Sequence, residues 1–320
     1  MHSSPHSLSR RHAIKLSVAA GLGLALDRAA APAQAAPTGE LITKVIPSSG
    51  KKLPVIGLGT NAYGVDAADE LAARREVLKR MPEVGLSVVD TAPGYKTSEV
   101  VLGNLIKDIG NRDKLFLATK VTVDEDKGQT VKDGIAMLEE SFKRLQTDHI
   151  DLMQVHSLRG VELLLPVLRE WKQAGRISYY GVTTSDDKQY DKLIKVLETE
   201  KLDFVQVDYS IANRNAEERI LPLCLEKGVA TLINFPFGGR RGENTITQTL
   251  GKPLPGFAAD IQCTSWPQIL LKYIVSHPAI NVAIPGTIKV KHVEDNAAAS
   301  HGTLPDAALR KKIEEAFAAV

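Results

Sequence analysis

Asp90, Tyr95, Lys120 and His156 are the residues in this chain whose types together could move a proton. A phenol with an ordinary pKa near 10 is a poor proton donor at neutral pH. A neighbouring ammonium favours its ionised form, and a carboxylate paired with that ammonium keeps it charged and oriented. A neutral imidazole can hydrogen-bond an oxygen on which charge develops. Such a set suits delivery of a proton to an alkoxide formed when a carbonyl takes up hydride. Taken singly, each residue has a plainer reading: a turn cap, a solvated lysine, a surface histidine. Their common placement at the ends of apolar runs carries the argument.

Those runs occur at 54–58, 86–89, 115–119, 150–155, 177–182, 204–207, 230–233 and 281–284, with helix-period stretches such as 70–84 and 131–145 between them. Short, continuously apolar strands alternating with helices predict a parallel sheet covered by helices. Eight such units in one chain fit a single closed (β/α)8 TIM barrel, an α/β fold. The segment 44–53, centred on Ser48-Ser49-Gly50, predicts an N-terminal β-hairpin before the barrel. In such barrels functional groups follow the strands at the C-terminal face. Here those followers are Gly59-Thr60-Asn61, Asp90, Lys120, His156, Thr183-Thr184, Gln206, Asn234-Phe235 and Pro285-Gly286-Thr287.

The matching stretches extend along the chain. Val89-Asp90-Thr91-Ala92-Pro93-Gly94-Tyr95 is followed by Ala118-Thr119-Lys120 and by Ile150-Asp151-Leu152-Met153-Gln154-Val155-His156. Gly181-Val182-Thr183-Thr184, Val205-Gln206 and Ile284-Pro285-Gly286-Thr287 complete the pattern, which ends in Asp295-Asn296. Over about residues 50–300 the sequence resembles the aldo-keto reductase superfamily. The resemblance implies NADPH/NADP+ as cofactor, with NAD less favoured, and a small aldehyde or ketone as substrate. It makes Asp90, Tyr95, Lys120 and His156 the catalytic tetrad, with Tyr95 as proton donor.

By the same resemblance Thr183, Thr184 and Gln206 hold the nicotinamide carboxamide. Gly59, Thr60, Asn61 and Asp90 line the inner end, and Asn234, Phe235, Pro236, Phe237 and Gly238 meet the nicotinamide and pyrophosphate. Gly286, Thr287, Lys289, His292, Asp295 and Asn296 lie where the adenosine end is held. Tyr63, Tyr95, His156 and Phe237 are the expected substrate contacts, with the loop 238–263 as a further wall. Departures are visible: Thr183-Thr184 stands where many members have Ser-Asn, and Asn234 where an aromatic ring often stacks. His292 replaces an arginine found in some members, which leaves Lys289 as the cation for a 2′-phosphate.

Other signals bound the function. Residues 1–35 contain a basic start with Arg10-Arg11, an apolar stretch from Leu16 to Leu26, and an Ala-rich end at 29–36. That is the plan of a cleavable secretory signal, and the paired arginines resemble the bacterial twin-arginine type. It predicts a periplasmic or otherwise exported protein, with the twin-arginine translocase as partner during export and residues 36–320 as the mature barrel. The apolar stretch is short of the about 20 residues a spanning helix needs, so no membrane is expected for the mature form. Outside the cytoplasm, sustained turnover would call for tightly held cofactor or a cofactor-recycling redox partner.

The chain of 320 residues carries 40 Lys+Arg against 38 Asp+Glu. Arg10, Arg11, Lys15 and Arg28 against Asp27 belong to the first 35 residues; without them 36 basic residues face 37 acidic ones. A near-neutral mature chain lacks the basic excess of a nucleic-acid binder. Two cysteines and scattered histidines predict no metal site and no disulfide framework. Cys224, Trp171 and Trp266 read as packing. A Rossmann reading of Gly57-x-Gly59 fails on spacing, because Asp90 comes roughly 30 residues on instead of about 20. The alternative from another class is a nucleotide-binding redox sensor or partner-binding subunit with little turnover; the complete proton-handling set argues against it.

Overall fold

The apolar runs pair edge to edge into a ring. The computed structural model describes residues 39–239 and 244–320. The proposed export signal, Arg240 and Arg241 lie outside the described residues. A hairpin comes first, β1 (Thr43–Val45) antiparallel to β2 (Lys52–Pro54). Eight parallel strands follow in ring order: β3 (Leu58–Gly59), β4 (Val88–Asp90), β5 (Phe116–Val121), β6 (Ile150–Val155), β7 (Ile177–Thr183), β8 (Phe204–Asp208), β9 (Ala230–Asn234) and β10 (Val282–Ala283). The bridges Ile56–Ala283 and Gly59–Gly286 close the ring. Gly57 N donates to Ala283 O at 2.8 Å there, and Gly59 N to Pro285 O at 3.2 Å. Glycine is needed at 59, since a Cβ would lie 2.9 Å from Ile284 O.

Around the ring run α1 (Ala68–Glu83), α2 (Ser98–Ile109), α3 (Val131–Leu145), α4 (Val161–Gln173), α5 (Tyr190–Thr199) and α6 (Ile220–Lys227). They are followed by α7 (Thr245–Thr249), α8 (Trp266–Val275), α9 (Val290–Ala298) and α10 (Ala307–Ala318). Local chemistry sets several ends. Thr130 and Asp133 form a capping box that starts α3, and Gly110, at φ 71°, stops α2. The stretch 238–263, read from sequence as a long loop, carries α7, whose first turn is capped by Asn244 Oδ1 accepting from Ile246 N and Thr247 N. No helix among the described residues is long and apolar enough to cross a membrane.

Successive strand residues point to opposite faces, so each strand serves two cores. Outward residues pack with the helices in one large cluster. Inward residues, among them Phe116, Leu152, Tyr179, Phe204 and Leu232, fill the barrel together with Ile46 and Leu53 of the hairpin region. The hairpin therefore plugs the floor, where Ser49 Oγ and Tyr179 Oη lie 2.7 Å apart. Truncating a ring such as Phe116, 2 % exposed, should cost about 3–5 kcal/mol. Lys44 ties the plug down: its ammonium donates to the carbonyls of Val275 (2.8 Å), His277 (2.9 Å) and Ile280 (2.5 Å) at the end of α8.

Candidate active site

The same period of two that buries Phe116 and Ala118 brings Lys120 inward one step higher on β5. Asp90 ends β4, and Gln154 and Gln206 stand two residues above the inward Leu152 and Phe204. A polar layer thus sits on the apolar filling, at the end of the barrel where chemistry is expected. Lys120 Nζ donates to Asp90 Oδ2 at 2.6 Å and to Thr91 O at 2.7 Å. Asp90 Oδ1 accepts from Gln206 Nε2 at 2.9 Å and from Gln154 Nε2 at 3.2 Å. The Lys120 and Asp90 side chains are 0 % and 3 % exposed. Burial alone would lower the Lys120 pKa, but the Asp90 charge, with contributions from Tyr95, outweighs it and holds the ammonium above its ordinary range.

Tyr95 and His156 are half-buried at the rim. The Lys120 ammonium lies 5.1 Å from the centre of the Tyr95 ring. The Tyr95 and His156 rings meet edge to face, 6.2 Å between centres at 88°. The turn carrying Tyr95 packs closely on the loop after β3: a Cβ at Gly64 would lie 2.8 Å from Tyr95 O. Past His156 the backbone turns through left-handed Ser157 (φ 56°) and Leu158 (φ 54°). Ser157 N there donates to Thr183 Oγ1 at 3.2 Å. A non-glycine pair in that region is strained.

These groups open on a cavity of ≈ 690 Å³, within the range of small-molecule sites. Of the residues expected from sequence, Gly59, Thr60, Asn61, Asp90, Tyr95, His156, Thr183, Gln206, Gly286 and the run Asn234-Phe235-Pro236-Phe237-Gly238 line it. Lys120 lies beneath, reached through Asp90. Ser157 and Ser185 also line the cavity and were not picked out from sequence; Asn244, in the loop expected as a wall, and Ile284 and Pro285, in the last strand-end motif, line it as well. Asn234 Oδ1 is buried with no hydrogen-bond partner among the described residues.

Other expected residues sit elsewhere. Tyr63 is not a wall of this cavity: it is fully buried, and its hydroxyl donates to Thr287 O at 3.1 Å. Its ring lies 5.9 Å from the Arg74 guanidinium, and burial pushes its phenol pKa up. Thr184 also turns away, its hydroxyl donating to Gln189 Oε1 at 2.6 Å. Asp295 has both oxygens engaged on the α8 side, by Ser265 Oγ at 2.9 Å and Gln268 Nε2 at 2.7 Å. Asn296 is buried on α9. Thr287, Lys289 and His292 gather where α9 begins: Thr287 Oγ1 accepts from Lys289 N at 3.2 Å and lies 3.3 Å from His292 Nδ1. Burial, then the Lys291 and Lys289 charges, lower the His292 pKa, against the Asp295 charge. Among the described residues no group of three His, Cys, Asp or Glu could hold a metal ion.

A closed (β/α)8 barrel with a buried ion pair beneath a phenol and an imidazole edge, all at one open mouth, defines the class. The Aldo/keto reductase family matches residues 55–315, and the chain belongs to that family. Aldo-keto reductase YhdN of Bacillus subtilis is 34 % identical over 201 residues. That match spans 59 % of this chain and 60 % of the relative, less than two thirds of its length. The NADH-specific methylglyoxal reductase of Escherichia coli is 26 % identical over 320 residues, 82 % of this chain and 95 % of that protein. A solved aldo-keto reductase from Klebsiella pneumoniae in complex with NADPH superposes with a TM-score of 0.71 at 25 % identity, covering 87 % of this chain and 96 % of that one.

Proposed function

We propose that the protein reduces a small aldehyde or ketone to an alcohol, with NADPH as its preferred reductant and Tyr95 as proton donor. The observation that supports this most is the convergence of Asp90, Tyr95, Lys120 and His156 at one end of one cavity. The residues present fit a dinucleotide. The cavity is large, and Asn234 Oδ1 is a buried acceptor, without a donor among the described residues, that suits an amide N–H. Thr183, Gln206 and Asn234 would hold the carboxamide, Gly59, Thr60 and Asn61 the inner end, and Phe235 to Gly238 the ring and pyrophosphate. Gly286, Thr287, Lys289 and His292 would take the adenosine end. When bound there, the nicotinamide would supply hydride to the carbonyl carbon.

The protein's own part is to manage the proton. His156 hydrogen-bonds the substrate oxygen, Tyr95 gives its proton to that oxygen as charge develops, and Lys120 favours the tyrosinate left behind. Asp90 keeps Lys120 charged and aimed. The preference for NADPH rests on Lys289 and Lys291 flanking the start of α9, and on the NADPH complex of the Klebsiella protein; the NADH-specific E. coli relative makes NADH the competing choice. The methylglyoxal reductase also makes small dicarbonyls the first substrates to try. Residues 1–35 are proposed as a twin-arginine signal that exports the folded, loaded barrel of residues 36–320.

The test is loss of reduced-nicotinamide absorbance with a carbonyl panel that includes methylglyoxal. Tyr95→Phe should lower kcat/KM by about 10²–10⁴. An equal rate in that variant would refute the assignment. Lys289→Ala should weaken NADPH but not NADH. Replacing Arg10-Arg11 by lysines should trap the unprocessed chain in the cytoplasm; processed protein outside it would overturn the export reading.

A further inference from the structure

Gln154 belongs to no role given above, yet it is fully buried in β6 and its Nε2 lies 3.2 Å from Asp90 Oδ1. Its other amide atom, Oε1, is buried without a partner among the described residues. The amide cannot be turned the other way, since that would set a carbonyl against a carboxylate. An orphaned buried acceptor is costly, and a leucine or methionine on this inward face would avoid it. The side chain therefore does something at Asp90 that packing alone does not require.

The reason lies in the ion pair. Lys120 Nζ and Asp90 Oδ2 are 2.6 Å apart with both side chains almost wholly buried. Burial penalises both charges, and transfer of the proton from Lys120 to Asp90 would relieve the penalty by leaving two neutral groups. Hydrogen bonds donated to a carboxylate favour its ionised form. Asp90 Oδ1 receives two such bonds, from Gln206 and Gln154. Gln206 lines the cavity, whereas Gln154 lies beneath it and is out of reach of anything bound. The titratable groups that share this end of the barrel are Lys120 on β5, Tyr95 after β4, His156 after β6 and Asp208, the last residue of β8, one step above Gln206, whose Oδ2 accepts from Asn213 Nδ2 at 2.9 Å.

We propose that Gln154 is a positioning residue that keeps the Asp90–Lys120 pair ionised, and through it keeps a full positive charge beside Tyr95. This rests on the reductase reading for its consequence in turnover, but not for its effect on Tyr95. The chemical class the role demands is a neutral hydrogen-bond donor that cannot be displaced by cofactor or substrate. Gln154 meets it.

The test is Gln154→Met, which keeps the length and removes the donor. Tyrosinate formation is followed by ultraviolet difference titration, subtracting the matching Tyr95→Phe protein in each background. With Met at 154 the Tyr95 titration should move to higher pH, while the melting temperature stays level or rises because the orphaned acceptor is gone. In carbonyl reduction kcat should fall about tenfold, the size of one charge-assisted hydrogen bond, with KM within about twofold and the limb of the pH profile set by Tyr95 moving the same way. A titration that superimposes on wild type overturns the inference, as does a fall in melting temperature with Tyr95 unmoved, which would mark a purely structural role. Absence of turnover in the wild-type protein would overturn the reductase reading alone, because the Tyr95 titration still decides the role of Gln154.

Discussion

Gln206 on β8 donates its amide to Asp90 on β4, four strands away around the ring, at 2.9 Å. The bond crosses the barrel interior and ties the cavity lining to the buried ion pair. Gln206→Leu should lower stability by about 1.5–3 kcal/mol, the range for a hydrogen bond to a charged group. It should also weaken NADPH binding by about tenfold. Denaturant melts and cofactor fluorescence titration check the two separately; unchanged binding would remove Gln206 from the nicotinamide site.

Lys120 offers a sharper contrast between stability and activity. Lys120→Met strands the Asp90 charge and should cost about 3–5 kcal/mol. Adding Asp90→Asn to that variant should restore most of the stability while activity stays lost. If the double variant melts as low as the single one, the ion pair is not what the lysine supports.

The two cysteines, both free and buried, predict a pH dependence. Burial pushes each thiol from 9.0 up to about 12; for Cys263 the Lys272 charge opposes and Asp295 adds to it. Below pH 9.0 folded and unfolded chains both hold these protons. Above it the unfolded chain releases them first, so stability falls as pH rises from 9.0 towards about 12. Urea melts at pH 8 and pH 10 should show a shallower loss in Cys224→Ala than in wild type. Neither thiol should react with a disulfide reagent until the protein is unfolded, and rapid labelling of the native protein would contradict the burial.

Tyr63 is a strut. Tyr63→Phe removes its bond to the Thr287 carbonyl and should cost about 0.5–1.5 kcal/mol, with the KM for carbonyl substrates unchanged. Phe237→Ala, in the cavity wall, should raise that KM instead. A large KM rise in Tyr63→Phe would return the ring to the substrate site.

Strand ends were legible because a buried parallel strand writes itself as an apolar run, and most of the residues following such runs line one cavity. What sequence left open was side-chain direction. Thr183 lines the cavity and Thr184, one step on, bonds Gln189; adjacent residues in extended chain face opposite ways, and no composition reveals which. Tyr63 and Asp295 fall on segments beyond the strands, where loop geometry decides the facing. Gln154 did leave a trace: an amide inside Ile150-Asp151-Leu152-Met153-Gln154-Val155, in phase with the inward Leu152. Reading that phase upward from the apolar filling would have found it.

Lys44 and the closing bridges also fix an order of assembly. The carbonyls that hold Lys44 lie 231, 233 and 236 residues further along the chain, and Gly59 meets Gly286 only at the last strand. During synthesis the hairpin must wait, undocked, while seven strands emerge. A chain that stops short of Gly286 keeps two bare sheet edges, the form most prone to stick to other chains. The ring therefore acts as a completeness check, in which the first strand finds its second neighbour only when the last has been made.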